Sequence, residues 1–198
     1  MNPGLSLYAR SRALPLTLAT LAATNGFAVW AAGAPDAHLD PGGQVPVTAL
    51  APLLAAAAIG ASLRSDSDEL DRTAVRPWWS RRLAHLLALT ALASVLLTSV
   101  VAGHAETFGA PVMIRDVLGC VGIVALSAVV LGARLSWLPA LGYVSAVYLA
   151  SSGAHGRAAT VWAWPVQPGS QPGAWAAALA AFALGAVLYA VRGARPGG

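Results

Sequence analysis

Six apolar runs constrain this chain more than any other feature of its sequence: Leu14 to Ala34, Val45 to Leu63, Leu83 to Gly103, Val112 to Ala133, Leu135 to Ser152 and Ala174 to Val191. A hydrocarbon layer about 30 Å thick is crossed by about 20 helical residues, and no backbone N–H or C=O can be left without a partner in lipid. Each run is near that length. They predict an all-α, polytopic membrane protein with six transmembrane helices, one transmembrane domain over residues 1–198, in the cell (plasma) membrane. The fifth run is the shortest and carries Pro139 in its first turn, where the missing N–H does least harm.

Composition agrees. The chain is 57% hydrophobic and 10% charged, with a mean hydropathy of +0.65, whereas soluble domains carry about 25% charged residues. Six spans with their connections use up the 198 residues, so a separate soluble domain does not fit. The net charge of +4 raises nucleic acid as a partner, but all twelve basic residues are arginines, dispersed and mostly flanking apolar runs. Membrane lipids with anionic headgroups, and no nucleic acid, are the expected partners. Cys120 is the only cysteine, which excludes an intramolecular disulfide, a dithiol pair and a cysteine-based zinc site; it is expected to pack as a small buried residue.

Arginine sets the orientation. With the N-terminus in the cytoplasm, the inside segments hold Arg10, Arg12, Arg64, Arg72, Arg76, Arg81, Arg82, Arg134, Arg192 and Arg195, and the outside keeps Arg115 and Arg157. The positive-inside rule therefore favours both termini in the cytoplasm. The first run also has features of a secretory signal peptide with a cleavage site near Gly33. Its length of about 20 residues exceeds a typical signal core of about 7–15, and Asn25 and several threonines interrupt it.

Small residues recur at four-residue spacing: Ala177, Ala181 and Gly185 in the last run, Gly142, Ala146 and Ala150 in the fifth. Each set forms one helical face on which backbones can approach closely in lipid. Both are expected to pack helix on helix, the alternative being a pore lined by small residues.

Between the second and third runs, SDSDELDRTAVRPWWSRR holds four of the eight acids and four of the twelve arginines. Ser65 or Ser67 can cap a short helix whose first turn carries Asp68, Glu69 and Asp71 and whose next turn carries Arg72, an order that suits the helix dipole. Pro77 ends it. Trp78 and Trp79 suit the bilayer interface, where Arg81 and Arg82 can reach phosphates. This cytoplasmic loop, 64–82, reads either as a solvated connector or as a docking helix with Leu70 and Val75 as apolar contacts and Asp68, Glu69, Asp71, Arg72 and Arg76 as the polar rim.

The opposite side has its own polar cluster. His104 and Glu106 lie between the third and fourth runs, Arg115 and Asp116 fall in the first turns of the fourth, and His155 and Arg157 follow the fifth. Ionisable groups so close to hydrocarbon are expensive and raise a functional hypothesis. Adjacent helical residues point about 100° apart, so Arg115 and Asp116 need not pair, and Glu106 is a candidate partner for Arg115. A structural tie and a substrate or proton contact both remain open. The outer loop, 153–173, carries Trp162 and Trp164, with Trp175 just beyond it, interleaved with Pro165, Pro168 and Pro172. It reads as an aromatic belt or as a re-entrant gate packed against the spans.

Catalysis finds little support. The chain has no lysine, hence no P-loop, and no H-E-x-x-H motif. Ser152 near His155 has no third member, and His85 and His104 lie at opposite ends of one run. The expectation is a non-enzyme without metal or cofactor.

A short basic N-terminal segment, six spans, a charged helix between spans two and three and a long outer loop between spans five and six resemble the permease subunit of an ABC-2-type ABC transporter. The phrases ELDRTAVRP, IRDVLGCVGIVALSAVVLGARLSWLP and WAWPVQP are also similar to small actinobacterial permease-like proteins. The resemblance implies that Ser67 to Arg76 is the coupling helix that meets an ATP-binding cassette subunit. It implies re-entrant outer helices between spans five and six, a second permease copy or a homologous permease, and transport, as an exporter. The alternatives are a structural or assembly membrane protein and, further off, a membrane-embedded enzyme.

Substituted-cysteine labelling on a Cys120→Ser background tests the orientation. Cysteines at Ser6 and Ser67 should resist an impermeant thiol reagent applied from outside, and labelling at either would overturn the assignment.

Overall fold

The computed structural model describes residues 14–32, 49–64, 78–101, 109–150 and 157–195. Every regular element among them is helical: α1 Leu14–Ala32, α2 Ala51–Ser62, α3 Trp79–Val101, α4 Ala110–Leu131, α5 Trp137–Ala150, α6 Arg157–Trp162, a 3-10 turn at Trp164–Val166, and α7 Pro172–Arg192. Three of the helices, α3, α4 and α7, are long and apolar enough to cross a membrane, while α2 and α5 are shorter apolar helices. The architecture is that of a helical, multi-pass membrane protein.

Local chemistry explains where the long helices begin and how they tolerate hydroxyls. Proline opens α4 (Pro111) and α7 (Pro172), at positions whose N–H has no intrahelical partner to lose. Inside the helices, Thr90 donates to the Leu86 carbonyl and Ser127 to the Ile123 carbonyl, each at 2.7 Å. Such back-bonding satisfies a hydroxyl within its own helix, so lipid or an apolar neighbour can cover it. α3 starts at Trp79, four residues before the apolar run at Leu83. Trp79, Arg81 and Arg82, expected from the sequence to anchor at the interface, are thus part of the helix itself, with Trp78 just ahead of it. A helix is not obliged to stop where hydrocarbon does.

α4 is the centre of the bundle. Val117, Val121, Val124, Ala125 and Ala128 are fully buried along it, at the three- and four-residue spacing of one helical face. Its most extensive partner is α7. There the backbones touch: a Cβ on Gly122 would collide with the main chain of Ala181 and Phe182, and one on Gly185 with the carbonyl of Gly122. Of the seam read from Ala177, Ala181 and Gly185, the last two thus lie against α4, and Ala177 is partly buried against the core. The other predicted seam is a correction. Gly142, Ala146 and Ala150 on α5 are exposed, and a Cβ on Gly142 would meet nothing within 4 Å. Spacing alone identifies a face on which close approach is possible, and here it does not identify a packed one.

The two ends of the bundle differ in chemistry. At one, Ser62 Oγ lies 3.3 Å from His85 Nε2, Tyr189 donates to the Leu63 carbonyl, and the Arg195 N–H donates to the Ala128 carbonyl. This end gathers Arg64, Arg81, Arg82, Arg134, Arg192 and Arg195. The other end holds Arg115, Asp116 and the connection from α5 to α7. Residues Asp68, Glu69, Leu70, Asp71, Arg72, Val75 and Arg76 of the proposed coupling helix, with His104, Glu106 and His155, lie outside the described residues.

The α4–α7 contact sets a stability test. Gly122→Val forces two backbones apart and should cost about 1–3 kcal/mol or more, read as a lower midpoint of thermal unfolding in detergent. Gly142→Val should stay within about 0.5 kcal/mol of the parent. Equal effects at the two sites would contradict the crossing.

Candidate functional site

The polar end of α4 carries the described residues most costly to bury. Arg115 and Asp116 occupy the second turn of the helix, with side chains 0% and 3% exposed. A guanidinium in an apolar interior needs acceptors for its N–H groups and a compensating charge. Arg115 Nε donates to Asp116 Oδ1 at 2.9 Å. Arg115 Nη1 donates to two main-chain carbonyls, Gln167 at 2.8 Å and Pro168 at 3.0 Å. The side chain therefore ties the start of α4 to a segment some fifty residues later in the chain.

That segment is shaped to be held. Helix α6 ends at Trp162, the 3-10 turn covers Trp164–Val166 with Pro165 inside it, and the chain then runs through Pro168 to the start of α7. The prolines prevent a continuous helix; the Gln167 carbonyl accepts from Arg115, and the Pro168 carbonyl accepts both from Arg115 and from the Gln171 N–H. Trp164 is only 3% exposed. Its ring lies over Gly119, where any Cβ would strike the indole, and it stacks on Tyr143 of α5 with centroids 5.9 Å apart. Tyr143 in turn donates to the Trp162 carbonyl, and the Trp175 indole N–H donates to the Gly169 carbonyl at 2.9 Å. Gly119 sits one turn after Arg115, so ion pair and indole occupy successive turns of α4.

Two sequence expectations change here. Arg115 and Asp116 do pair: their Cβ atoms diverge, but the arginine side chain is long enough to swing its Nε back to its neighbour. Trp164 does not stand in an outer aromatic belt, because the Gly119 slot takes its ring into the bundle. Trp162, at 41% exposed, keeps an outward position, and Trp175 is half-buried. Arg157 is the first residue of α6. Tyr143, Gln167 and Gly119 were not singled out in the sequence. Gly119 was the available signal, a residue without a side chain one turn from a buried charge.

The pair is half made. Arg115 Nη2, on the same edge of the guanidinium as Nε, and Asp116 Oδ2 are buried and have no hydrogen-bond partner among the described residues. A bidentate fork would join them. As it stands, the site offers one donor and one acceptor, suited to a water or to a neutral group that both accepts and donates. Cys120, one turn after Asp116, is a buried free thiol. Among the described residues no group of three or more His, Cys, Asp or Glu side chains is placed to hold a metal ion. At the other end, Trp79 and Arg81 are exposed, and Trp78 and Arg82 are half-buried.

No family model matches the chain, and no curated protein or solved structure matches it either.

A double-mutant cycle measures the tie. Arg115→Met strands a buried carboxylate and leaves the Gln167 carbonyl without its donor, which should destabilise by about 3–5 kcal/mol. Asp116→Leu should act in the same direction. The double variant should cost clearly less than the sum of the two, since neither charge is then left alone. Strict additivity in chemical unfolding would show that the two side chains do not interact.

Proposed function

We propose that this chain is the permease subunit of an ABC-2-type exporter, with six spans and both termini in the cytoplasm, driven by a separate ATP-binding cassette subunit and working with a second permease copy. The observation that carries this reading is the segment from Arg157 to Gln171 between α5 and α7. It turns back onto α4 and α5 through Trp164 and is fastened by Arg115. The resemblance drawn from the layout expects an outer re-entrant element between spans five and six, and this segment has its position and its short-helix character. The contrast between the two ends of the bundle adds support, because the arginine-rich end would face the cytoplasm under the positive-inside rule.

On this reading Arg115 and Asp116 hold the outer element at the mouth of the pathway, and Ser67 to Arg76 meets the ATP-binding subunit. The chain itself carries out no chemistry. The second reading is a structural or assembly membrane protein. It draws on the fact that each hydrogen bond described for Arg115 is internal, as a purely structural tie requires.

Charge reversal in the cytoplasmic loop separates the two. Changing Asp68, Glu69 and Asp71 together to Lys should remove a soluble ATP-binding partner from the purified complex, with the same amount of chain inserted in the membrane. Single reversals at such exposed contacts should cost only about 0.2–1 kcal/mol. A parent that purifies with no such partner, or a triple variant that keeps it, would favour the structural reading.

A further inference from the structure

The tie between α4 and the segment before α7 leaves over two buried polar atoms, and they are the two that a fork would join. Arg115 spends Nε on Asp116 Oδ1 and Nη1 on the carbonyls of Gln167 and Pro168. Arg115 Nη2 and Asp116 Oδ2 have no partner among the described residues, on side chains that are 0% and 3% exposed. Groups orphaned at such depth cost free energy and call for a reason. Nε and Nη2 form one edge of the guanidinium, and that edge matches the two oxygens of a carboxylate. The guanidinium is a rigid plane, so swinging Nη2 onto Oδ2 also moves Nη1, which sits 2.8 Å and 3.0 Å from its two carbonyls. The carbonyl side of the tie is able to let go. The Pro168 carbonyl also accepts from the Gln171 N–H, Gln167 is half-buried and Pro168 is exposed, so water can replace Arg115 at both carbonyls. The stretch is anchored on either side by contacts that do not involve Arg115: Trp164 in the Gly119 slot, and the Trp175 indole on the Gly169 carbonyl.

We propose that Arg115 is a latch with two positions: through Nη1 it holds the Gln167 and Pro168 carbonyls, and when that stretch lifts it closes a bidentate pair with Asp116 through Nε and Nη2. The buried charge is compensated in both positions. Pairing the two orphaned atoms offsets part of the loss of the carbonyl bonds, so the stretch is released without stranding the guanidinium. Trp164 and Gly169 are the pivots. The latch does not depend on the transport reading.

The test is hydrogen–deuterium exchange of the full chain in lipid nanodiscs. It follows the Gln167 and Gln171 amides, which donate to the Trp164 and Pro168 carbonyls, against the amides of the α4–α7 seam at Gly122 and Ala181. In the parent the first pair should exchange at least about tenfold faster than the seam, through local opening. Exchange at the seam's own rate would mean that the stretch opens only with the whole bundle, and would overturn the latch. Asp116→Asn then tests the swap. Asparagine keeps an oxygen for Arg115 Nε but sets an NH2 group where Oδ2 stands, so the fork cannot close. Exchange at Gln167 and Gln171 should slow about tenfold, the loss of one charge-assisted hydrogen bond from the released position. Unchanged or faster exchange would overturn the proposal, because a purely structural tie holds no tighter when its carboxylate loses its charge. Seam amides at the parent's rate report that the variant is folded. Should Asp116→Asn not fold, Trp164→Ala decides, since it frees the stretch with both charges intact. Solid-state NMR recoupling should then show Arg115 Nη2 drawn up to the Asp116 carboxyl carbon and the contact to the Gln167 carbonyl lost. Nη2 left apart from the carboxylate, with or without the Gln167 contact, would overturn the latch.

Discussion

A guanidinium held at zero exposure has to find acceptors, and Arg115 finds them in a carboxylate and in two carbonyls of a distant segment. The remaining features of that end follow from this requirement. Acceptors must come from carbonyls with a lone pair to spare and room for a side chain to reach it, and in an apolar helical protein an interrupted helix provides them. The prolines at 165, 168 and 172 supply the interruption. The interrupted segment must then be covered, and Trp164 does so by lying over Gly119 and against Tyr143. Remove the charge and the Gln167 carbonyl loses its partner while the Pro168 carbonyl keeps only the Gln171 N–H; remove the glycine and the indole loses its slot.

The rest of the bundle is held by a different kind of contact. In lipid there is little hydrophobic force between helices, so close backbone approach and van der Waals packing decide which faces meet. Gly122 against Gly185 provides that approach for α4 and α7. This leaves one end of the bundle free to be specialised by charge. Six arginines collect where the helices α2, α3, α4 and α7 have their α2 C-terminus, α3 N-terminus, and α4 and α7 C-termini, and their long side chains can reach past the apolar body to the headgroup layer.

Much of the helical layout was legible in run length. The fourth run, Val112 to Ala133, and helix Ala110–Leu131 differ by two residues at each end, because a stretch that must be both apolar and helical leaves little choice. The start of α3 was not legible by the same rule, since Trp79 and Arg81 are helical without being apolar. The packing faces were half legible. Ala181 and Gly185 meet α4, while Gly142, Ala146 and Ala150 share the same spacing and face outward. Periodicity says what a face permits, and only the partner's shape decides whether it is used; Gly122 was that partner, and a glycine in an apolar run carries no distinguishing mark. At the polar end, the sequence identified Arg115 and Asp116 as costly but could not identify their partners. A main-chain carbonyl has no signature in a sequence, and two of the three acceptors of Arg115 are main-chain.

The central claim is that Arg115 fastens the segment before α7 to the start of α4. Solid-state NMR of the lipid-reconstituted protein, recoupling Arg115 side-chain 15N to 13C at the Asp116 carboxyl and at the Gln167 and Pro168 carbonyls, measures this directly. The account predicts contacts within about 4 Å to all three carbons, together with slow exchange of the guanidinium protons. Coupling to none of the Gln167 and Pro168 carbonyls, with guanidinium protons exchanging as fast as those of a solvated arginine, would contradict it.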